Sequence, residues 1–261
     1  MLAPIFQVDA FTSRRFSGNP AAVMVLDRFP PEKVLQAVAA ENNLTETAFL
    51  VADKGDYKIR WFTPTVEVPL CGHATLASAA VVMERLEPGR EVVVFHSASG
   101  PLTVRRSGTD YVMDFPRRTL EPVATPPELP AALGATPSEV VWDGSNFLAR
   151  LATAEIVRNL DPNLAAIERL ARSGVIVTAP GDAGFDFVSR YFAPAKGIPE
   201  DPVTGGAHCG LTPFWAERLN KTAFRAFQAS RRGGEIVCRL VGDRVELEGA
   251  CVFYLEGTVE F

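Results

Sequence analysis

A five-residue motif occurs twice in this chain, and this repeat limits the folds that the chain can adopt. The motif RWFTP at residues 60–64 returns 130 residues later as RYFAP at residues 190–194. A glycine-rich segment follows each copy after a short loop, CGHATLASAA in the first half and TGGAHCGLTPFW in the second. Upstream of each copy, a helical pattern leads into an apolar strand. Because the whole order of elements repeats, the sequence predicts an internal duplication and two similar domains.

Helical patterns and short apolar runs fill each half. PEKVLQAVAAENN at 31–43 and GHATLASAAVVMERL at 72–86 predict helices in the first half, the latter ending before a Pro-Gly pair. In the second half, PNLAAIERLA at 162–171 predicts a helix, and VIVTAP at 175–180 predicts the strand after it. Three further runs predict an antiparallel meander at the end of the first half: 90–95, 101–106 and 110–115.

A proline-rich stretch separates the two halves. Six prolines between residues 116 and 137 exclude a continuous helix or inner strand there, so we expect an interdomain linker. The domains are then residues 1–117 and 118–251, and the last strand, 252–261, is able to return to the first domain. The mixture of strands and helices predicts an α+β fold class.

Composition excludes several classes of function. A net charge of -5 without a basic stripe argues against binding nucleic acid. The N-terminus lacks a basic region, and Asp9 interrupts its apolar stretch, so we expect no signal peptide. No apolar run is long enough to cross a membrane. The four cysteines show no CxxC spacing, which predicts neither disulfides nor structural zinc and favours the cytoplasm.

The repeated glycine-rich segments are candidate anion sites. Gly72 opens the first helix and Gly205-Gly206 opens the second, and a helix start offers unpaired N–H groups to a carboxylate. Two of the three histidines, His73 and His208, fall at these starts. We expect the two starts to face each other across a domain cleft and to grip a small acid. Asp201 and Thr204 precede the second helix, where they could equally serve only as caps.

Glu46 is the candidate acid–base group. It begins an apolar strand directly after a helix, and burial there would raise its pKa toward the range useful for proton transfer. The alternative is an exposed glutamate at a strand end, which is common. The repeat offset places Ile176 opposite Glu46, which predicts one such acid and not a symmetric pair.

Four motifs, spread along the whole chain, resemble those of a known family. SGNPAAV, NLTETAF, LCGHATLA and EDPVTGGAHC are similar to the motifs of the phenazine-biosynthesis PhzF-like family. The resemblance implies a diaminopimelate epimerase-like fold, with two duplicated domains that each wrap a mixed sheet or barrel around a central helix. It also implies a cofactor-independent isomerase that acts on a small carboxylate-bearing substrate, holds no metal and forms a homodimer.

The same resemblance assigns residues. In the family's phenazine enzyme, which isomerises trans-2,3-dihydro-3-hydroxyanthranilate, a glutamate shuttles the proton and a histidine, an aspartate and a serine assist. These roles fall on Glu46, His73 and Asp201, and the serine falls on position 206, where this chain has TGGAH in place of TGSAH. The departure leaves the substrate open. The substrate-binding residues implied are Asn19, Gly72, Thr204, Gly205 and Gly206.

Two alternatives stay open at this point. Racemases and epimerases of the same superfamily use a cysteine at each helix start, and here Cys71 matches the first while Thr204 matches the second. One thiol cannot serve both faces of a carbon, but a threonine there is similar to the hydroxyproline dehydratases, so a thiol-based epimerase or dehydratase remains. A non-catalytic small-molecule binder is the other alternative, since Gly206 would suit a decayed site. The histidines lack the HExxH spacing of a metalloenzyme.

Overall fold

A computed structural model describes residues 1–170 and 174–261. The strands are β1 (Leu2–Ala10), β2 (Asn19–Leu26), β3 (Glu46–Asp53), β4 (Asp56–Phe62), β5 (Glu67–Val68), β6 (Val92–Ser97), β7 (Gly100–Ser107), β8 (Asp110–Pro116), β9 (Glu121–Pro122), β10 (Glu139–Trp142), β11 (Asn146–Arg150), β12 (Gly174–Pro180), β13 (Phe187–Ala193), β14 (Ile198–Asp201), β15 (Ala223–Gln228), β16 (Gly234–Val241), β17 (Arg244–Gly249) and β18 (Cys251–Glu260). The helices are α1 (Glu32–Asn42), α2 (Gly72–Val81), α3 (Leu129–Leu133), α4 (Ala154–Asn159), α5 (Leu164–Leu170) and α6 (Gly205–Leu219).

The chain divides into two units. One contains residues 1–114 with 248–261, and the other contains residues 115–247. The first unit thus ends a few residues before the break expected from the prolines, and its returning segment begins before residue 252. In the described part of the chain, no helix combines the length and the apolar character needed to cross a membrane.

In the first unit, a mixed sheet surrounds α2. β1 pairs antiparallel with both β2 and the C-terminal β18, β2 runs parallel to β3, and β3 is antiparallel to β4. β4 continues parallel to β6, and β6, β7 and β8 form the antiparallel meander that the sequence predicts. Every residue of α2 after Gly72 is buried, and the helix contacts β1, β2, β3 and β18. A helix that is apolar on all sides needs such an enclosure.

The second unit repeats this order of pairings. β10 is antiparallel to β11, β11 is parallel to β12, and β12 is antiparallel to β13. β13 is then parallel to β15, which is antiparallel to β16. The largely buried α6 lies between β13 and β15 in the chain, as α2 lies between β4 and β6. The predicted duplication, with a central helix in each half, is therefore confirmed.

Several predicted boundaries need correction. α1 begins after Pro31 and ends where Asn43 adopts a left-handed conformation, close to expectation. The predicted helix at 72–86 is α2 followed by a π-helical turn, Val82–Leu86. The helix predicted at 162–171 is α5, and its last predicted residue, Ala171, lies outside the described residues. The proline-rich stretch is not an isolated linker, because it contains α3, whose leucines pack in the core of the second unit.

Candidate active site

Glu46 is the first residue of β3, where the chain enters the sheet after α1. It pairs with Ala21 across the parallel β2–β3 ladder. Only 7% of the residue is exposed, so it is not the solvent-facing strand-end glutamate that the sequence allowed. The positive φ of Asn43 ends α1 and turns the chain so that this short connection is made in three residues. The carboxylate is thereby fixed at the edge of a buried strand.

His73, the second residue of α2, is the immediate partner of Glu46. Its Nε2 atom lies 3.2 Å from Oε2 of Glu46, and 5% of the residue is exposed. Burial lowers the pKa of His73 to about 3, and a weaker interaction with the Pro20 carbonyl opposes this shift. The imidazole is therefore neutral near pH 7. The contact is therefore not an ion pair, and these two atoms do not have the geometry of a hydrogen bond.

Two further side chains lie on the Nδ1 side of His73. The side-chain nitrogen of Asn19 lies 3.1 Å from Nδ1 of His73. The Thr45 hydroxyl lies 2.9 Å from Oδ1 of Asn19 and 3.1 Å from the Pro20 carbonyl, and donation to Oδ1 leaves the Asn19 NH2 group facing the ring. In this arrangement Nδ1 accepts and Nε2 bears the proton of the neutral ring. Thr45 was not predicted, although it stands beside Glu46 in the NLTETAF motif.

Cys71 and Gly72 form the start of α2. Cys71 is the N-cap in an extended conformation, and its side chain makes no capping hydrogen bond to the helix. Its Sγ atom lies instead 3.5 Å from Nδ1 of His73. Within the described residues, Glu46, Cys71 and His73 are the group whose side chains could hold a metal ion, with ligand atoms within 4.8 Å of one another. The thiol thus belongs to the same cluster as the proposed acid–base group.

In the second unit, Asp201 ends β14 just before α6. Its Oδ2 atom accepts a hydrogen bond of 2.5 Å from the Thr204 hydroxyl. The Gln228 side chain holds this loop from β15, since it accepts from the Thr204 backbone N–H at 2.8 Å and donates to the Asp201 carbonyl at 2.7 Å. Gln228 carries no sequence signal, because its role depends on the parallel pairing of β13 with β15.

The start of α6 resembles that of α2. Thr204 is an extended N-cap whose side chain does not cap the helix, because its hydroxyl is directed to Asp201. Gly205 is buried and Gly206 is exposed. A Cβ atom added at Gly206 would meet nothing within 4 Å, so this position has open space beside the helix start.

The two histidines near the helix starts are not equivalent. When α2 and α6 are aligned on their first residues, His73 matches Gly206 and His208 matches Thr75. The Nδ1 atom of His208 is 2.8 Å from the Thr204 carbonyl, just as the Thr75 hydroxyl donates to the Cys71 carbonyl. His208 is fully buried, and its ring stacks on an aromatic ring of β13. Both histidines lie near the helix starts, as expected, but they occupy different positions of the repeat, and His208 is part of the core.

The counterpart of Glu46 in the second unit is also different from the one expected. Arg60 pairs with Phe49, and its repeat Arg190 pairs with Val177, so strand register places Gly174, not Ile176, opposite Glu46. A Cβ atom on Gly174 would lie 2.2 Å from the Tyr191 ring. No acid fits there without moving that ring, which agrees with the prediction of a single glutamate.

Known proteins show the same architecture. The chain is 50% identical over 253 residues to an uncharacterized isomerase of Pseudomonas aeruginosa, which covers 97% of both chains. It superposes on a crystal structure of a PhzF-family phenazine biosynthesis protein from Enterococcus faecalis with a TM-score of 0.96, 43% identity and complete coverage of both chains. A hydroxyproline epimerase from Agrobacterium vitis, solved with bound trans-4-hydroxy-L-proline, gives a TM-score of 0.64 at 12% identity, covering 99% of this chain and 92% of the other.

The most distant of these likenesses shows the fold alone, and it confirms the predicted diaminopimelate epimerase-like fold. The nearer ones extend over nearly all or all of the chain. The Pseudomonas aeruginosa relative is named as an isomerase. The family described as phenazine biosynthesis-like protein matches residues 8–257, and the motifs around Glu46, His73 and Asp201 lie inside that match. The chain therefore belongs to the phenazine biosynthesis-like, or PhzF, family.

Proposed function

We propose that this protein is a cofactor-independent isomerase that moves a proton on a small carboxylate-bearing substrate, with Glu46 as the general acid and base. The observation that carries the proposal is the buried carboxylate of Glu46, 3.2 Å from a neutral imidazole at a helix start. A carboxylate that is shielded from water can act as a base toward a C–H bond of the substrate. The imidazole packs against the carboxylate and helps to hold it in place.

The start of α2 supplies the second requirement, an anchor for negative charge. Gly72 has no side chain, and Cys71 does not cap the helix, so a substrate carboxylate can approach the backbone N–H groups. The positive end of the helix dipole favours an anion at this position. The same N–H groups would stabilise negative charge that develops on the substrate when Glu46 removes a proton.

We also propose that Asp201, Thr204, Gly205 and Gly206 bind part of a small substrate. The support is their own geometry: a 2.5 Å hydrogen bond from Thr204 to Asp201, and a glycine helix start without a side-chain cap. The Asp201 carboxylate, oriented by this hydroxyl, would position a polar group of the substrate. The glycines would accept a second anionic or carbonyl group.

A screen in deuterated water tests the proposal. Cyclic and amino-substituted carboxylic acids are incubated with chelator-treated protein, and incorporation of deuterium at carbon is followed by NMR. We expect exchange into at least one class of acid, without added metal or cofactor. Activity that is lost with chelation and restored by a divalent ion would contradict the proposal.

A thiol mechanism is the second candidate, because Sγ of Cys71 lies 3.5 Å from Nδ1 of His73. In that scheme His73 would accept the thiol proton, and the sulfur would act on the substrate. An epimerase or dehydratase would result. The Glu46 and Cys71 variants described in the Discussion separate the two schemes.

Thr45→Val tests the hydrogen bonds behind His73. Valine keeps the shape but cannot donate to Asn19, so the Asn19 amide loses its fixed orientation and His73 its single tautomer. We expect deuterium exchange into the substrate to slow by roughly tenfold, which corresponds to the loss of about one hydrogen bond. Thr45→Ser should restore it.

Nitrogen NMR of labelled histidine reads the tautomer directly, and the chain has only 3 histidines to assign. The parent protein should show a proton on Nε2 of His73, whereas Thr45→Val should show a mixture. An unchanged tautomer with slowed exchange would mean that Thr45 acts in another way.

Gly206→Ser restores the hydroxyl common in the family at this position. Since an added Cβ meets nothing within 4 Å, we expect the free energy of unfolding to change by less than about 0.5 kcal/mol. The relative kcat/KM among the acids of the screen should shift by up to roughly tenfold, because a hydroxyl adds one hydrogen bond. Thermal unfolding and exchange rates measure the two effects. A large loss of stability would show that the space at Gly206 is needed by the fold.

A further inference from the structure

Glu46, Cys71 and His73 also have the composition of a metal site. They offer one oxygen, one sulfur and one nitrogen, from three buried side chains whose ligand atoms lie within 4.8 Å of one another. Sulfur together with imidazole nitrogen selects thiophilic cations such as Zn²⁺ over Mg²⁺ or Ca²⁺. A thiolate and a carboxylate would also balance the two positive charges of the ion.

One of the distances is near that of a tetrahedral site. Bond lengths of about 2.3 Å to sulfur and 2.0–2.1 Å to nitrogen or oxygen separate neighbouring ligand atoms by roughly 3.3–3.6 Å. Oε2 of Glu46 is 3.2 Å from Nε2 of His73. Sγ of Cys71 faces the other nitrogen, Nδ1, at 3.5 Å. An ion bound at Nε2 therefore keeps Glu46 in place and requires the Cys71 side chain to rotate toward it, from a starting position within the 4.8 Å that encloses the three ligand atoms.

The hydrogen bonds around His73 can adapt to a metal on Nε2. Nδ1 would then carry the proton and need an acceptor, as ligating histidines do. Rotation of the Asn19 amide by half a turn presents Oδ1 to the ring, 3.1 Å from Nδ1 in the same arrangement of atoms. The Thr45 hydroxyl then accepts from the Asn19 NH2 group and donates to the Pro20 carbonyl, which lies 3.1 Å away.

We propose that Glu46, Cys71 and His73 bind a Zn²⁺-like cation, and that this binding inhibits the proposed isomerase activity. The Cys71 thiol releases its proton on binding, and solvent fills the remaining position of the ion. Because the ion occupies Glu46, the site loses its base. The inhibitory part of this inference rests on the proposed function of Glu46, whereas the binding part does not, and catalysis itself remains independent of the metal.

Cobalt titration of the metal-free protein tests the binding. Co²⁺ bound to a thiolate gives a sulfur-to-metal charge-transfer band, and we expect this band to saturate at one equivalent. Cys71→Ser should abolish the band while keeping the side chain's size. Glu46→Gln and His73→Asn should each weaken binding by roughly tenfold or more. Cys251→Ala, outside the cluster, is the matched control and should bind Co²⁺ like the parent.

The outcomes separate the binding from the proposed function. A band that persists in Cys71→Ser, or no band with the parent protein at millimolar Co²⁺, overturns the metal site whatever the enzyme activity. A band with the expected variant pattern supports it without any substrate. Exchange that continues at full rate in protein saturated with Zn²⁺ would overturn the inhibitory part. Thermal unfolding of each variant confirms that the protein tested is folded.

Discussion

Replacing Glu46 with glutamine is expected to lower kcat for solvent exchange by roughly 10²–10⁴-fold, the usual worth of a positioned general base. Glutamine keeps the shape of the side chain and its contact with Nε2 of His73, which lies 3.2 Å from the present carboxylate. The substitution therefore removes the base and leaves its surroundings. Substrate affinity should stay within roughly tenfold, because binding and proton transfer depend on different groups.

Cys71→Ala is the matched comparison, because Cys71 lies in the same cluster and contacts the same imidazole. We expect exchange to fall far less than in Glu46→Gln. Both variants are measured by deuterium wash-in on an acid identified by the screen. If Cys71→Ala abolishes exchange while Glu46→Gln turns over at a nearly normal rate, the base is the thiol and our assignment of Glu46 is wrong.

The second large effect concerns acid stability. Burial lowers the pKa of His208 to about 4, against 6.5 for an exposed imidazole. Between these values the unfolded chain binds more protons than the folded protein, so the free energy of unfolding falls as the pH is lowered from about 6.5 toward 4. A shift of this size corresponds to a loss of about 3 kcal/mol by pH 4 and to no contribution above neutrality. Burial of His73 acts in the same direction and reaches further, to about pH 3.

Denaturant unfolding at a series of pH values measures this effect. His208→Gln removes the titrating ring and keeps a donor for the Thr204 carbonyl, so its free energy of unfolding should fall less steeply with acid than that of the parent. The diagnostic quantity is the slope against pH, because the absolute stability also changes with packing. Identical slopes for the parent and His208→Gln would contradict the burial argument.

Strand pairing explains why the repeat could be read from sequence but its alignment could not. The RWFTP and RYFAP motifs occupy the ends of β4 and β13, and the order of elements around them was predictable from apolar patterns. The loops differ in length between the halves, so a constant offset pointed to Ile176. The hydrogen-bonded register moved the match to Gly174, since register is fixed by neighbouring strands.

At the candidate site, too, the sequence identified some of the residues and could not identify others. Glu46, His73 and Asp201 could be singled out because each stands in a local pattern: a strand start, a helix start, or the turn before a helix. Thr45 and Gln228 could not be singled out, because their roles depend on hydrogen bonds to distant residues. Thr45 contacts Asn19, 26 positions away, and Gln228 contacts Thr204, 24 positions away. A hydroxyl or an amide has no local signature of its partner, and only the folded chain supplies one.

The sequence by itself determined the duplication, the central helices and the presence of a single candidate glutamate, because periodicity, glycine position and residue type are local properties. Tertiary structure decided the rest. It made His73 neutral by burying it, placed that ring against Glu46 with Asn19 at its Nδ1 atom, and made His208 a core residue stacked on Phe187. The physical reason is that protonation, tautomer and orientation depend on burial and on hydrogen-bond partners brought together by the sheet, and these partners are distant in the chain.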